Sequence, residues 1–161
     1  MVIAVGDRLP DAKFTVMTDA GSVPKTTGEL FSGRRVVLFA VPGAFTPTCH
    51  NNHLPGFLEN AETFKSRNVD EIVCTSVNDI FVLSAWAKAT GAEGKITFAS
   101  DGNGDFAKAL GLDLDGSARN MGIRSQRYAM LVEDGVVKVL NIEDAPGKAE
   151  LSGATALLEK V

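Results

Sequence analysis

Cys49 is the residue of this chain best placed for nucleophilic chemistry. It lies in the segment VPGAFTPTCH (residues 41–50), directly after an apolar run that predicts a buried strand and beside the start of a helical pattern. The thiol therefore falls in the first turn of a helix, where backbone N–H groups lack intrahelical acceptors and the helix dipole is positive. Such a position favours the thiolate, the form of cysteine that acts as a nucleophile or a metal ligand.

The residues around Cys49 favour a small polar pocket. Pro42 shapes the loop that leaves the strand, and the hydroxyl of Thr46 can reach the sulfur or a small molecule bound beside it. A positive charge would complete a thiolate site, and Arg124 and Arg127 are the candidates from the distant part of the chain. A lone cysteine is most often a buried, inert residue. The neighbouring proline and threonine favour chemistry instead.

Composition excludes several classes of protein. The chain has 161 residues, of which 45% are hydrophobic, and we expect one domain over residues 1–161. Its 16 basic and 20 acidic residues give a net charge of −4, which argues against a nucleic-acid partner. Neither a signal-peptide core nor a membrane-spanning run is present, so we expect a cytoplasmic protein without a membrane partner. Two cysteines are too few for a disulfide scaffold.

The hydrophobic pattern predicts alternating strands and helices that position the thiol. Predicted strands cover residues 35–41, 71–77 and 95–99; predicted helices cover residues 48–67, 79–90 and 104–110. A hairpin through Asp134 and Gly135 and a last helix capped by Ser152 follow. Parallel strands with crossover helices and a final antiparallel hairpin predict an α/β protein with a mixed central sheet flanked by helices, compatible with a thioredoxin-like fold.

Two local features complete this interpretation. Pro55 falls inside the first long helical pattern, so we expect a kink or bulge there. Residues 111–126 have no periodic pattern and are expected to form an irregular loop that can carry functional groups.

The segment PGAFTPTC (residues 42–49) resembles the active-site signature of the peroxiredoxins, and more narrowly that of the type II or peroxiredoxin-5 subfamily. Similarity continues in the same order through residues 53–57, 76–86, 92–95 and 127–130. The resemblance implies a thioredoxin-fold thiol peroxidase that reduces hydrogen peroxide and organic hydroperoxides in antioxidant defence and cell redox homeostasis. It also implies that no prosthetic cofactor and no metal are needed.

The same resemblance implies roles for individual residues. Cys49 corresponds to the peroxidatic cysteine, Thr46 hydrogen-bonds the peroxide, and Pro42 shields the pocket. Arg127 corresponds to the arginine that stabilises the thiolate and the transition state, with the backbone N–H of Cys49 as a further donor. Arg124 resembles a second, less constant arginine near the pocket.

Peroxide reduction would leave a sulfenic acid on Cys49, and the sequence allows three routes for its reduction. Some relatives carry a resolving cysteine in the segment that corresponds to residues 150–152, and this chain has none. Cys74 is either a buried core thiol or a resolving cysteine that forms an internal disulfide. We favour a third route, reduction by external glutathione or glutaredoxin, with thioredoxin as the other partner considered.

By residue type, core packing is the default for Phe81 and Trp86. The resemblance instead implies a homodimer formed by their surface together with Phe45 and the active-site loop. For His53 we expect a packed or capping residue beside the pocket, and for His50 a solvent-facing helix residue.

Two rival interpretations remain open at this point. Cys49, His50, His53 and Cys74 offer metal-ligating side chains, although adjacent residues 49 and 50 point in different directions on a helix. The second rival is a non-catalytic thioredoxin-like binding or chaperone module. A disulfide reductase is disfavoured because the chain has no C-x-x-C motif.

Overall fold

Nine strands form two sheets, and the computed structural model describes all of residues 1–161. The strands are β1 (Lys13–Thr18), β2 (Gly21–Thr26), β3 (Arg35–Ala40), β4 (Glu71–Ser76), β5 (Thr97–Ser100), β6 (Asp113–Asp115), β7 (Ile123–Ser125), β8 (Tyr128–Glu133) and β9 (Val136–Ile142). Seven of them make one sheet in the order β2-β1-β5-β4-β3-β8-β9, and β6 pairs with β7 in a separate small sheet.

Six short helices surround the sheet. They are α1 (Thr27–Phe31), α2 (Leu54–Glu59), α3 (Ala61–Ser66), α4 (Ile80–Thr90), α5 (Asp105–Leu110) and α6 (Ala154–Leu158). A π-helical turn at Cys49–His53 and a 3₁₀ turn at Ser117–Arg119 complete the secondary structure. None of these helices has the length and apolar character that crossing a membrane requires.

The central strand β3 pairs in parallel with β4 and antiparallel with β8. Strands β4 and β5 are also parallel, whereas β8 and β9 form an antiparallel hairpin, so the predicted mixed α/β sheet is confirmed. In the turn of this hairpin Asp134 and Gly135 have φ angles of 48° and 77°, as a type I′ turn requires.

Hydrophobic side chains cover both faces of the sheet. On one face Phe39 of β3 stacks on Phe57 of α2 with ring centroids 4.1 Å apart, and Trp86 of α4 is fully buried beside them. On the other face Phe14 packs edge-on against Phe106 at 4.8 Å. Because both faces are buried, the carboxyl ends of β3 and β4 are held rigidly at one edge of the sheet, where the segment containing Cys49 begins.

The predicted helix over residues 48–67 is present but interrupted. Pro47 and Thr48 are α-helical, a π-helical turn follows at Cys49–His53, α2 continues from it, and Asn60 separates α2 from α3. Pro55 has no N–H to donate, and the N–H of Leu54 instead bonds five residues back to the carbonyl oxygen of Cys49. Thr48 before this turn and Leu54 after it both have α-helical backbone angles, so the turn is a π-bulge within one helical segment. The bulge predicted at Pro55 is therefore confirmed.

The predicted irregular loop over residues 111–126 is wrong. Its two three-residue strands, β6 and β7, pair antiparallel from Asp113 opposite Ser125 to Asp115 opposite Ile123. The hairpin loop is closed by the N–H of Gly116, which donates to the carbonyl oxygen of Gly122 at 2.6 Å. Strands this short give too few alternations for a periodic pattern.

Candidate active site

Cys49 lies where the chain leaves the sheet and begins to coil. It is the first residue of the π-helical turn and has no solvent exposure. Its backbone N–H donates to no acceptor in the protein, as the start of a helix predicts. The cysteine therefore offers a free N–H beside its own sulfur.

Arg127, the residue before β8, points its guanidinium at this sulfur. Its Nη2 donates to Sγ of Cys49 at 2.9 Å, and the side chain is 3% exposed. Nε and Nη2 also donate to the carbonyl oxygen of Pro146 at 3.2 and 3.0 Å. No carboxylate forms a salt bridge with Arg127. A buried cation without an acidic partner stabilises a thiolate in contact with it.

His53 holds the other side of the Arg127 guanidinium. Its ring is buried, with Nε2 2.8 Å from the carbonyl oxygen of Ser152 and Nδ1 3.0 Å from Nη1 of Arg127. Because a carbonyl oxygen only accepts, we assign the hydrogen to Nε2, and Nδ1 then accepts from the arginine. Burial lowers the pKa of His53 to about 3, and the charge of Arg127 acts in the same direction. The imidazole is therefore neutral at physiological pH.

This hydrogen-bonded network extends one residue further. The backbone N–H and hydroxyl of Ser152 donate to one carboxylate oxygen of Glu143 at 2.8 and 2.7 Å. Burial opposes ionisation of this carboxyl, but the hydrogen bonds from Ser152 and its neighbours outweigh burial and lower the pKa of Glu143. Ser152 therefore links the carboxylate to the imidazole, rather than capping the last helix as the sequence predicts; Gly153 is the N-cap of α6.

The buried neutral His53 makes stability depend on pH. In the unfolded chain this imidazole gains a proton below about pH 6.5, whereas in the folded protein it resists protonation down to about pH 3. We therefore expect the free energy of unfolding to fall as the pH drops from 6.5 to 5, by at most about 1.4 kcal/mol per pH unit from this residue. Urea denaturation at several pH values measures the slope. His53→Gln, which stays neutral, should flatten it, and equal slopes in both proteins would contradict this assignment.

The loop before Cys49 is held by hydrogen bonds to itself and to the end of β4. The hydroxyl of Thr46 donates to the carbonyl oxygen of Gly43 at 2.6 Å, which leaves the lone pairs of Oγ1 as free acceptors. The N–H of Ala44 donates to Oδ1 of Asn78 at 2.9 Å, and Pro42 is buried at the base of the loop. The position of the Thr46 hydroxyl is thus fixed before any ligand arrives.

A cavity of about 320 Å³ opens next to this loop. Its walls come from the loop, from the β6–β7 hairpin and from Pro146 and Gly147. Thr46 and Arg127 line it, and Cys49 lies behind them, fully buried. A larger cavity of about 600 Å³ lies at the opposite end of the sheet and shares no residue with this one.

The two arginines that the sequence singles out occupy different places. Arg127 contacts the sulfur, whereas Arg124 lines the cavity without contacting it. Nε of Arg124 donates to the carbonyl oxygen of Met121 at 2.9 Å, and Nη1 donates to that of Val77 at 3.3 Å. Arg124 is thus anchored to the hairpin and to the end of β4.

The histidines and cysteines do not converge on a metal site. Both ring nitrogens of His53 are occupied by Ser152 and Arg127, and Nδ1 of His50 accepts from Nε1 of Trp86 at 3.0 Å. No three His, Cys, Asp or Glu side chains lie close enough together to hold an ion. The expectation of a solvent-facing His50 is wrong, since its ring is partly buried between Trp86 and Phe45.

Cys74 lies in β4, opposite Phe39 of β3 and Phe98 of β5. It is a free thiol without solvent exposure. Burial raises the pKa of the Cys74 thiol well above its ordinary value, and nearby Cys49 acts in the same direction. The thiol form therefore predominates, and this form is a weak nucleophile.

Comparison with known proteins shows the family to which this chain belongs. The Redoxin family profile matches residues 4–158. The chain is 49% identical to "Peroxiredoxin-2E-2, chloroplastic" of Oryza sativa subsp. japonica over 162 residues, which covers 98% of this chain and 72% of that relative. This chain belongs to the peroxiredoxin family. It is also 47% identical over 146 residues to "Peroxiredoxin-2E, chloroplastic" of Arabidopsis thaliana, covering 88% of this chain and 62% of the relative.

A solved peroxiredoxin has the same fold. The crystal structure of reduced Prx3 from Vibrio vulnificus, in complex with hydrogen peroxide, superposes with a TM-score of 0.93 at 48% identity and covers 98% of both chains. The predicted type II subfamily and thioredoxin-like fold are therefore confirmed. The protein is a thiol peroxidase of antioxidant defence that uses a cysteine and an external thiol reductant and needs no prosthetic cofactor. Family membership supports this activity over the non-catalytic binding or chaperone module.

The predicted cytoplasmic location is contradicted by these relatives. Both plant peroxiredoxins named above are chloroplastic rather than cytoplasmic. The prediction fails because charge and hydropathy describe a folded domain and carry no information about the compartment to which the domain is delivered.

Proposed function

We propose that Cys49 is the peroxidatic residue of this peroxiredoxin, in one catalytic domain over residues 1–161. The observation that most directly supports this assignment is the 2.9 Å contact between Nη2 of Arg127 and Sγ of Cys49, made by a buried cation without an acidic partner. In this proposal Thr46 positions the peroxide and Pro42 closes the base of the pocket. His53 and Arg124 contribute from outside the reacting atoms.

The proposed reaction is a displacement at oxygen. The Cys49 thiolate attacks the nearer oxygen of the hydroperoxide, an S–O bond forms, and the O–O bond breaks. Negative charge develops on the departing oxygen, which leaves as water or an alcohol after it gains a proton. Arg127 and the free N–H of Cys49 stabilise that charge, and both are fixed before the reaction begins.

Thr46 has a different task in this mechanism. Its hydroxyl hydrogen is already donated to Gly43, so Oγ1 accepts a hydrogen bond from the O–H of the peroxide. Such a bond orients the O–O axis towards the sulfur. The product is Cys49 sulfenic acid.

One equivalent of hydrogen peroxide tests the assignment of Cys49. We expect a rapid change in the fluorescence of Trp86, which is hydrogen-bonded to His50 next to Cys49. Mass spectrometry of the trapped product should place one added oxygen atom on the peptide that contains Cys49. Oxidation confined to Cys74 would refute the assignment.

We further propose that an external thiol, glutathione directly or through glutaredoxin, reduces the sulfenic acid, and that Cys74 does not. Cys74 is buried between Phe39 and Phe98 in the central sheet, and its raised pKa disfavours the reactive thiolate. Attack by Cys74 on the oxidised sulfur would require this buried thiol to give up its close packing in the core.

Cys74→Ser therefore should retain turnover with glutathione and glutaredoxin, because no step depends on this thiol. A coupled peroxidase assay measures turnover, with thioredoxin as the alternative reductant. Cys74→Ala serves as a second variant, since serine places a hydroxyl in an apolar site. Normal oxidation of Cys49 followed by loss of turnover in both variants would make Cys74 the resolving cysteine.

We also propose a homodimer formed through an apolar surface beside the active-site loop. Phe45 and Phe81 are 48% and 68% exposed, and Val82 adjoins them. Phe45 also has a φ of 64°, an unfavourable value for a residue with a side chain. Light scattering at micromolar concentration should give the mass of two chains, and Phe81→Asp should lower it towards one. A monomeric wild-type protein would contradict the dimer.

A further inference from the structure

The cavity beside the active-site loop carries an excess of positive charge. Three arginines line it, Arg119, Arg124 and Arg127, and Asp115 is the one acidic residue among the lining residues. None of these arginines forms a salt bridge with a carboxylate. The cavity therefore presents cations that the protein itself does not neutralise.

Asp115 forms no salt bridge with any of these arginines. Its carboxylate accepts hydrogen bonds from the hydroxyl and the N–H of Ser117, the latter at 2.9 Å. Both bonds are accepted by Oδ1, and they lower the pKa of Asp115, which keeps the carboxylate charged. Three arginines against this one carboxylate leave the cavity lining with a net positive charge.

The three arginines differ in their free donors. The guanidinium of Arg127 donates hydrogen bonds to Cys49, His53 and Pro146. Arg124 uses only Nε and Nη1, so both N–H bonds of its Nη2 are unpartnered. Arg119 is exposed and makes no hydrogen bond through its side chain. Arg124 and Arg119 therefore form a side of the cavity with free donors, the arginine wall, in which Arg119 lies at the rim. A ligand group that reaches the arginine wall meets Arg124 first.

The fold also makes room for the Arg124 guanidinium. A side chain at Gly43 would place its Cβ 3.4 Å from Nη1 of Arg124 and 3.1 Å from Thr46, so glycine keeps the approach open. On the hairpin, a Cβ at Gly116 would lie 2.8 Å from the carbonyl oxygen of Gly122. The hairpin is therefore closely packed and presents Arg124 at a fixed place.

The size of the cavity limits its ligand. About 320 Å³ is at the lower end of the roughly 300–1,000 Å³ that small-molecule sites occupy. A tripeptide-sized molecule fits, with one end at the floor next to Arg127 and the other at the arginine wall. A planar carboxylate matches the paired donors of a guanidinium.

We propose that Arg124, assisted by Arg119, binds the carboxylate of a small anionic reactant whose reacting end lies over Cys49. This inference rests on the proposed role of Cys49 and specifies which reactants the site prefers. Two reactants of the cycle have this chemistry: a carboxylate-bearing thiol, of which glutathione is an example, and a carboxylate-bearing hydroperoxide.

When the reactant is a thiol, reduction of the Cys49 sulfenic acid takes two steps. The thiolate of the reductant attacks the sulfenic sulfur of Cys49, an S–S bond forms, and the hydroxyl leaves as water after it takes up a proton. A second thiol then attacks the mixed disulfide, releases the oxidised disulfide and restores the Cys49 thiolate. A carboxylate held at Arg124 positions the first thiol for this attack.

The test compares reactants that differ only in the carboxylate. In the thiol arm, kcat/KM for glutathione is divided by that for glutathione diethyl ester. In the peroxide arm, kcat/KM for linoleic acid hydroperoxide is divided by that for its methyl ester. Arg124→Gln should lower one or both ratios about tenfold, since a charge-assisted hydrogen bond to a carboxylate is lost. Arg124→Lys should retain most of the preference.

Two further variants keep the test decisive. Arg119→Gln should lower the same ratio by a smaller factor, and it disturbs no packing because the side chain has no protein partner. Lys138→Gln removes the same charge from an exposed position outside the cavity and should leave the ratios as in the wild type.

Each outcome has a definite meaning. A loss in the thiol arm alone identifies the reductant as the carboxylate source, and a loss in the peroxide arm alone identifies the peroxide. Ratios unchanged in both arms by Arg124→Gln and Arg119→Gln would overturn the proposal. Failure of the proposed Cys49 function is seen separately, as an absence of Cys49 oxidation by hydrogen peroxide before any thiol is added.

Discussion

Replacing Arg127 with methionine should lower the second-order rate constant for hydrogen peroxide by about 10³. The guanidinium is the one cation in contact with Sγ of Cys49, at 2.9 Å in a buried site. Methionine fills a similar volume but removes both the charge that stabilises the thiolate and the donor that stabilises the departing oxygen. The two losses act on the same step, so the effect reaches the upper end of what one donor contributes.

Stopped-flow fluorescence of Trp86 after mixing with peroxide measures this rate. Arg127→Lys is the matched variant, because it keeps the charge but cannot contact Cys49, His53 and Pro146 together. Its rate constant should lie between those of the wild type and Arg127→Met. Since Arg127→Met leaves buried acceptors at His53 and Pro146 unpaired, circular dichroism must verify that the variant is folded. A folded Arg127→Met protein that reacts at the wild-type rate would exclude the arginine from the mechanism.

Thr46→Val is expected to lower the same rate constant by about 10². Valine has nearly the shape of threonine, so the change isolates the hydroxyl. Two interactions disappear: the 2.6 Å hydrogen bond to the carbonyl oxygen of Gly43 and the free lone pairs of Oγ1 beside the cavity. The first loss loosens the loop, and the second removes the group that we expect to orient the peroxide.

Thr46→Ser separates a hydroxyl effect from a packing effect. Serine keeps the hydroxyl and lacks the methyl group, so this variant should react within a few-fold of the wild type. If valine and serine slowed the reaction equally, the methyl group rather than the hydroxyl would be the important part of Thr46. The KM for peroxide in a coupled assay gives an independent measure of lost positioning.

The sequence contained enough to predict the sheet and the position of the thiol. The run over residues 35–41 is apolar without alternation, which identifies β3 as a strand buried on both faces, and the helical pattern after it places Cys49 at a helix start. Pro55 predicts a bulge in this helix, but the sequence does not specify that the bulge is a π-helical turn. An i+5 bond from Leu54 to Cys49 and an ordinary i+4 bond leave the same hydrophobic periodicity.

The network behind the sulfur was beyond prediction for a different reason. His53 and Ser152 are 99 residues apart, and His53 and Arg127 are 74 apart. Spacing carries no information on contacts of this range, so the sequence predicts a helix cap at Ser152 and no role for Glu143. Residue types alone leave Arg124 and Arg127 as equivalent candidates for the cation; the family resemblance favours Arg127, and the structure places its guanidinium against Cys49.

These long separations have a consequence for folding. The Cys49 loop, Arg127 and the segment from Glu143 to Ser152 come from three regions that meet only when the last part of the chain has docked. Until then Cys49 is an ordinary exposed thiol, and oxidants meet it at ordinary rates. Fast reaction with peroxide is therefore a property that a nascent or refolding chain acquires late, and it reports the completion of the tertiary structure.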